Sequence, residues 1–132
     1  MKFGLVLRNT GAGSSAQAIE AGAETAERLG WETVWTTDHV LVPAAAAAEY
    51  GRTLDAIETL VWVGARHPHV KLGTSVIVVP QRNAVVLAKE LATLDVLSDG
   101  RLIAGVGVGW NETEFANLAA EDRFHRRGAY LD

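Results

Sequence analysis

The feature that most constrains this chain is a regular alternation of short apolar runs with longer amphipathic stretches. The runs recur at intervals of roughly 30 residues, the length of a parallel βαβ repeat. Two of them, 71–79 and 101–108, carry apolar side chains at consecutive positions, as strands buried on both faces do. The alternation predicts an α/β fold of parallel βαβ units, with the sheet either open and doubly wound or curled as part of a barrel. The predicted strands are Lys2–Leu7, Thr33–Thr37, Lys71–Val79 and Arg101–Val108.

Three amphipathic stretches between these runs predict helices, and a short fourth helix follows Asn111. Ser14 lies three residues before Gln17 and is predicted to cap the first helix. The residues predicted to face the core are Ile19, Ala23, Ala26 and Leu29 in the first helix, Leu54, Ile57, Val61 and Ala65 in the second, and Ala84, Leu87, Leu91 and Leu94 in the third.

The composition is that of an ordinary globular domain. A length of 132 residues fits one domain, 1–132, and 48% hydrophobic residues argue against disorder. The net charge of −4 favours neither nucleic acid nor an anionic membrane surface as a partner. The chain contains no apolar stretch of about 18 residues, the length that a membrane span needs. Because cysteine is absent as well, we expect a cytoplasmic domain that acts on a small molecule.

Glycine alternates with valine in the stretch GVGVGWN (105–111), where the fourth strand ends. The dinucleotide fingerprint needs glycine at the first, third and sixth positions of such a turn. With Gly105 as the first position, the sixth is Trp110. Alternating glycines also leave vacant positions on one side of a strand, where a flat ligand can lie against the backbone. A tight turn without a ligand explains the same residues, and both interpretations stay open.

Five segments together resemble the luciferase-like monooxygenase family, in particular its branch of oxidoreductases that use the deazaflavin coenzyme F-420. The resemblance implies a (β/α)8 barrel of the TIM type with the cofactor at its C-terminal mouth. It covers only the N-terminal half of such a barrel, with four strands and about four helices. The segments are LGWETVWTTDHV (29–40), KLGTSVIVVPQRN (71–83), AKELATLDVLSDGR (88–101), GVGVGWNETEF (105–115) and FHRRGAYLD (124–132).

The resemblance implies a catalytic pair at the end of the second strand, Asp38 and His39. An imidazole that titrates near neutral pH suits proton exchange with a substrate or a reduced cofactor. The neighbouring carboxylate would fix the orientation of the imidazole or accept a bond from the cofactor ring. The alternatives from the residues themselves are a hydrogen-bonding loop histidine and an aspartate that caps a turn.

The resemblance also implies a cofactor-binding bulge in the third strand, with a non-prolyl cis peptide at Ser75–Val76. The hydroxyls of Thr74 and Ser75 would bond the polar edge of the ring or, alternatively, the backbone of a buried strand. The remaining residues that the resemblance assigns to the cofactor are Asp38, Val76, Gly107, Val108, Gly109 and Trp110.

One residue departs from the family pattern. The sugar-phosphate dehydrogenases of the deazaflavin branch place a glutamate where this chain has Trp110, which points away from sugar phosphates as substrates. Glu112 and Glu114 follow at the start of a helix, where we expect them to stabilise its positive end. We expect no metal site, because His67 and His69 flank a proline in a loop away from the site. For His125 and its neighbouring arginines, a solvated or docking face and a cofactor phosphate contact are the alternatives.

The resemblance implies hydride transfer between reduced F-420 and a small organic substrate. The alternatives are an FMN-dependent monooxygenase of the same family and a non-catalytic half-barrel. Half a barrel leaves strand edges and one apolar sheet face unpaired. We therefore expect either a homo-oligomer or a separate chain that supplies the second half.

Overall fold

A computed structural model of the chain describes residues 1–131, so Asp132, the last residue of the predicted domain, lies outside the described residues. The strands are β1 (Gly4–Val6), β2 (Thr33–Thr36), β3 (Lys71–Thr74), β4 (Ile77–Val78), β5 (Leu102–Ile103) and β6 (Val106–Gly107). The helices are α1 (Ala16–Arg28), α2 (Ala47–Tyr50), α3 (Ala56–Arg66), α4 (Ala84–Leu97), α5 (Glu112–Asn117) and α6 (Glu121–Phe124). Three 3₁₀ turns occupy Ala44–Ala46, Val79–Gln81 and Arg127–Tyr130.

The sheet confirms the predicted parallel βαβ units. Its four strands lie in the order β1, β2, β3, β5, and every pair is parallel. After a break in each of the last two strands, β4 continues from β3 and β6 continues from β5, and these two short strands also pair in parallel. Spatial order therefore follows chain order without a reversal. A doubly wound sheet reverses its order at a switch point, whereas a barrel does not, so the arrangement is that of successive barrel units.

A single layer of side chains joins the sheet to its helices. Register aligns Leu5 with Val34, Val34 with Leu72, and Leu72 with Leu102 across the four strands. This row packs against apolar residues of α1, α3 and α4, and burial of each large aliphatic side chain stabilises the fold by about 1.5–3 kcal/mol. The helical residues of this core are Ile19, Ala23, Ala26, Ala56, Ile57, Leu60, Val63, Leu87 and Leu94.

Two details of the predicted helices are wrong. Ser15, not Ser14, caps α1 by accepting a bond from the Ala18 amide, while the Ser14 hydroxyl is buried and donates to the Arg52 carbonyl. The predicted core faces are the second error: in α3 the buried face contains Leu60 and Val63 rather than Val61 and Ala65, which are exposed. Leu29 and Ala84, also predicted to face the core, are exposed at the end of α1 and at the start of α4. Apolar residues surround most of α3, so the spacing alone did not specify which face turns inward.

The opposite face of the sheet is open. Leu5 and Leu7 point toward the helices, so Val6 between them points to the other side, where it is 58% exposed. On the same side the Trp35 ring lies over Gly4 and Gly73 of the two neighbouring strands, where a Cβ atom would collide with the indole. Ile103, in register with Gly73, completes this apolar face.

The last segment packs separately against the third strand. Phe115 and Ala120 are fully or nearly fully buried against Val78. Arg123 donates to the carbonyls of Pro80 (3.3 Å) and Arg82 (3.2 Å), so this arginine docks the segment onto the turn after β4. No helix among residues 1–131 has the length and apolar character to cross a membrane.

Candidate active site

A cavity of about 390 Å³ opens where β2, β4 and β6 end. It brings together all the residues predicted for the site except Thr74 and Gly107. Functional groups of parallel α/β folds gather at this carboxyl edge, because the loops that follow neighbouring strands meet there. The lining residues are Thr37, Asp38, His39, Ser75, Val76, Val78, Gln81, Val108, Gly109, Trp110 and Glu114.

The third strand is interrupted beside the cavity. The peptide bond between Ser75 and Val76 is cis, as the resemblance implied, and it separates β3 from β4. The Ser75 amide still donates to the Thr36 carbonyl (2.7 Å), and the Ile77 amide donates to Gly105 (2.9 Å). Thr74 is buried and its hydroxyl donates to the Gly105 carbonyl (2.8 Å), so its side chain bonds backbone rather than facing the cavity.

The alternating glycines do not form an open floor. A Cβ atom on Gly105 would collide with the Thr74 carbonyl, and one on Gly107 would collide with the Val76 side chain. At Gly109 it would lie 2.6 Å from Val78, and the backbone there has a φ of +75°, a conformation that favours glycine. The glycines let the broken third strand approach the fourth, and of the three only Gly109 lines the cavity.

Asp38 is held by protein groups on both carboxylate oxygens. It accepts bonds from the Val78 amide (2.9 Å) and from two nitrogens of Arg82, at 3.3 and 2.6 Å. Arg82 also bonds Asp55 (3.1 Å), the residue that caps α3. Burial opposes the charge on Arg82, but the bonds to Asp38 and Asp55 outweigh it and raise the pKa of the guanidinium. Asp38 therefore fixes the loops after β2 and β4.

The ring of His39 bonds a different carboxylate. Its Nδ1 lies 3.0 Å from Oε2 of Glu114, a residue that is only 1% exposed. Oε1 of Glu114 accepts bonds from the amides of Val40 (2.7 Å) and Leu41 (3.1 Å). The prediction that Glu114 serves the end of a helix is therefore incomplete, because its side chain reaches back to the loop after β2. One feature of the sequence could have indicated that Glu114 is buried: it directly precedes Phe115, which is buried in the same helix.

The charges of this pair reinforce each other. The hydrogen bond from Glu114 raises the pKa of His39 above its ordinary value, burial opposes this change, and the charges of Glu114 and Asp38 add to the increase. Burial alone would raise the pKa of Glu114, but the bonds from His39 and the two backbone amides outweigh it and lower that pKa. The arrangement therefore favours an imidazolium beside a carboxylate at one end of the cavity.

Aromatic rings surround the exposed side of His39. Tyr50 packs edge-on against the imidazole, with ring centres 4.7 Å apart, and Trp110 lies 6.3 Å away. Tyr50 is the last residue of α2. Of the five consecutive alanines before it, the first three form the 3₁₀ turn Ala44–Ala46 and the last two begin α2. Tyr50 is not among the residues that the sequence predicted for the site. Trp110 remains 63% exposed, so its ring forms part of the cavity rim.

Residues 1–132, the whole chain, match the family model of the luciferase-like monooxygenases. The chain belongs to that family. An uncharacterized protein of Mycobacterium tuberculosis is 33% identical over 130 residues, covering 89% of this chain and 45% of that protein. An F-420-dependent glucose-6-phosphate dehydrogenase of Kineococcus radiotolerans is 40% identical over 104 residues, covering 76% of this chain and 30% of that enzyme. This luciferase-like chain thus spans less than half the length of these relatives.

Solved structures confirm the fold of this luciferase-like chain. A monooxygenase from Streptomyces bottropensis has a TM-score of 0.75 and 29% identity, covering 99% of this chain and 42% of that one. The oxygenating constituent of 3,6-diketocamphane monooxygenase from Pseudomonas putida, in complex with FMN, has a TM-score of 0.79 over 99% of this chain and 36% of that one. Its 15% identity establishes the fold alone. The prediction of part of a (β/α)8 barrel is confirmed.

The other histidines of this luciferase-like chain lie outside the cavity. His67 follows α3 at the opposite end of the sheet, where its buried ring bonds Glu27 (3.0 Å), and His69 lies in the same loop. His125 is exposed and lies 3.7 Å from Glu112. Among residues 1–131, no group of three or more histidine and carboxylate side chains is placed to hold a metal ion.

The ion pair of Arg82 makes a testable prediction about stability. Arg82→Met leaves Asp38 buried without its cation and should lower the free energy of unfolding by roughly 2–4 kcal/mol. Arg66→Met is the matched control, because the Arg66–Glu20 pair is exposed to solvent and its loss should change stability much less. Urea unfolding of both variants measures the difference. Equal losses in the two variants would contradict the structural role given to Asp38.

Proposed function

We propose that this chain is the cofactor-binding N-terminal part of an oxidoreductase that transfers hydride between F-420 and a small organic substrate. The observation that supports this most is the single cavity that joins His39, the cis bulge at Ser75–Val76 and the Gly109–Trp110 turn. A pocket that combines apolar surface with convergent polar groups and with titratable residues of shifted pKa, here His39 and Glu114, is the usual form of an active site.

The groups that face the cavity fit a flat heterocycle with a polar edge. Val76 and Trp110 provide apolar surface, and the Ser75 hydroxyl adds a hydrogen-bonding group. Gln81 is 9% exposed, and its buried Oε1 accepts no hydrogen bond from residues 1–131. An unpaired buried acceptor is costly, by about 1–3 kcal/mol, so a ring N–H that reached Gln81 would relieve that cost.

His39 supplies the acid–base group that hydride transfer requires. When bound in its reduced form, F-420 would supply a hydride to an electrophilic carbon of the substrate and would become oxidised. The adjoining heteroatom then gains negative charge and must receive a proton. The imidazolium form of His39, which its raised pKa favours, can donate that proton and regain it from solvent. The ring of His39 borders the cavity, where the substrate would lie in this proposal.

FMN is the alternative cofactor, and a monooxygenase reaction is the alternative chemistry. The FMN complex of the Pseudomonas putida enzyme supports it at the level of the fold. The greater identity to the F-420-dependent dehydrogenase of Kineococcus radiotolerans favours the deazaflavin. Trp110 sets this chain apart from the glutamate-bearing sugar-phosphate enzymes, so we propose a substrate of another class.

Cofactor binding provides the direct test. Titration of the purified chain with F-420 and with FMN, followed by fluorescence, should give tighter binding of F-420. Val76→Glu places a charge on the bulge and should weaken binding by at least about tenfold, or 1.4 kcal/mol. Val85→Glu is the matched control: Val85 is 80% exposed on α4, so its replacement should leave the affinity unchanged. If neither cofactor binds at micromolar concentrations, the proposal fails for the isolated chain.

Turnover tests the role of His39. Candidate hydride acceptors would be screened with reduced F-420, and the return of oxidised cofactor would be followed by its fluorescence. With an accepted substrate, His39→Ala should lower the rate by about 10²–10⁴, the usual contribution of a general acid or base. The affinity for F-420 should stay within a few-fold of wild type. A variant with unchanged turnover would remove His39 from the reaction.

The predicted partners follow from the open sheet face. Val6, Trp35 and Ile103 form an apolar surface that no residue of 1–131 covers, and β1 and β5 are edge strands. We propose that a second four-stranded unit covers this face, supplied by another copy of the chain or by a separate chain that carries the second half. Light scattering of the purified chain checks this proposal, since a stable, well-behaved monomer would contradict it. The cytoplasmic location stays a prediction.

A further inference from the structure

We propose that Glu114 is the positioning residue of the site: it holds Nδ1 of His39 and thereby directs Nε2 into the cavity as the atom that exchanges protons. The use of Nε2 in the reaction rests on the proposed function. The orientation of the ring does not, because it follows from contacts within the chain.

The contacts of Glu114 fix which of its oxygens meets which donor. Oε1 accepts two backbone bonds, from Val40 at 2.7 Å and Leu41 at 3.1 Å, and Oε2 faces Nδ1 of His39 at 3.0 Å. Amide N–H groups can only donate, so Oε1 must be an acceptor. An ionised carboxylate only accepts, so Nδ1 of His39 must carry a hydrogen. The neutral imidazole then bears its lone pair on Nε2.

The surroundings leave Glu114 as the main influence on this ring. Asp38 is the other nearby carboxylate, but both its oxygens bond Arg82 or the Val78 amide. From α2, Tyr50 contacts the ring through its aromatic edge, and Trp110 adds an uncharged indole. Glu114 itself reaches the loop from α5, whose Asn111 caps the helix and whose Phe115 anchors it in the core.

Glu114→Gln tests the assignment without removing the backbone bonds. The amide oxygen should keep the place of Oε1, because a reversed amide would point its NH₂ group at two N–H donors. The NH₂ group then replaces Oε2 and donates to Nδ1, which forces the hydrogen of the neutral ring onto Nε2. In a serine protease, replacement of the triad aspartate by asparagine reverses the tautomer of the histidine. The reaction then slows about 10⁴-fold, although the geometry of the site is preserved.

The tautomer is measured directly by ¹⁵N–¹H correlation NMR of the histidine rings, with the His39 signals assigned by His39→Ala. Wild type should carry the hydrogen on Nδ1 above the titration midpoint, and Glu114→Gln should carry it on Nε2 with a midpoint at lower pH. Glu112→Gln is the matched control, since Glu112 is exposed on the same helix and should change neither result. A wild-type ring protonated on Nε2, or a Glu114→Gln variant with the wild-type tautomer, would overturn the proposal.

Stability against pH gives a second readout. The folded-state pKa of His39 is raised, so its contribution is complete below the unfolded value of about 6.5 and is lost as pH rises through the folded value. The folded-state pKa of Glu114 is lowered, so its contribution is present above about 4.3 and is lost as pH falls. The stability advantage of wild type over Glu114→Gln should therefore be larger near pH ~5.5 than near pH ~8.5. An equal advantage at both would contradict the ion pair.

The reaction provides the last readout, and it separates this proposal from the proposed function. With an accepted substrate, Glu114→Gln should lower kcat by about 10²–10⁴ with little change in KM. If the predicted tautomer is found but no cofactor binds, the positioning role stands and the proposed function fails. If F-420 turns over normally in a variant with the reversed tautomer, Nε2 is not the proton-exchanging atom.

Discussion

The carboxylate of Asp38 is the interaction on which the geometry of the site depends. It comes directly after β2, yet its bonds run to the Val78 amide beyond the break in the third strand and to Arg82, which in turn bonds the cap of α3. Three neighbouring segments of chain therefore meet at one buried ion pair. Such a pair need not add net stability over an apolar core, but removal of either partner leaves an uncompensated charge. The pair keeps the bulge at Ser75–Val76 in a fixed place relative to the loop that bears His39.

Glu114 makes the corresponding connection to the fourth unit. Its side chain extends from α5 to the loop after β2 and bonds both the imidazole and the backbone of that loop. The imidazole and the Gly109–Trp110 turn line one wall of the cavity. The adjacent residues Asp38 and His39 have different roles as a consequence. Asp38 bonds a backbone amide and Arg82, whereas only Nδ1 of the His39 ring has a hydrogen-bond partner among residues 1–131. In the proposed reaction, an acid–base group that is already oriented in this way would avoid reorganisation when the substrate binds.

Much of the fold follows from the sequence, because the spacing of apolar runs reflects burial of the sheet on the helix side. The location of the site follows as well, since parallel strands bring Asp38, Ser75 and Gly109 to one edge. The contacts that orient His39 do not follow. Glu114 and Tyr50 lie 75 and 11 positions from it, and no local period connects an α5 glutamate to a loop after β2. The alternating glycines were also ambiguous, because a residue without a side chain fits a ligand and a close neighbouring strand equally well.

We propose that this wall holds a deazaflavin ring between the bulge and Trp110. The most direct measurement is the change in backbone amide NMR shifts when F-420 is added to the ¹⁵N-labelled chain. We expect the largest changes at residues 75–78, 109–110 and 38–41, with α1 and the solvent face of α3 unaffected. Changes confined to the cavity between α1 and α3, around Arg52 and Trp62, would contradict it.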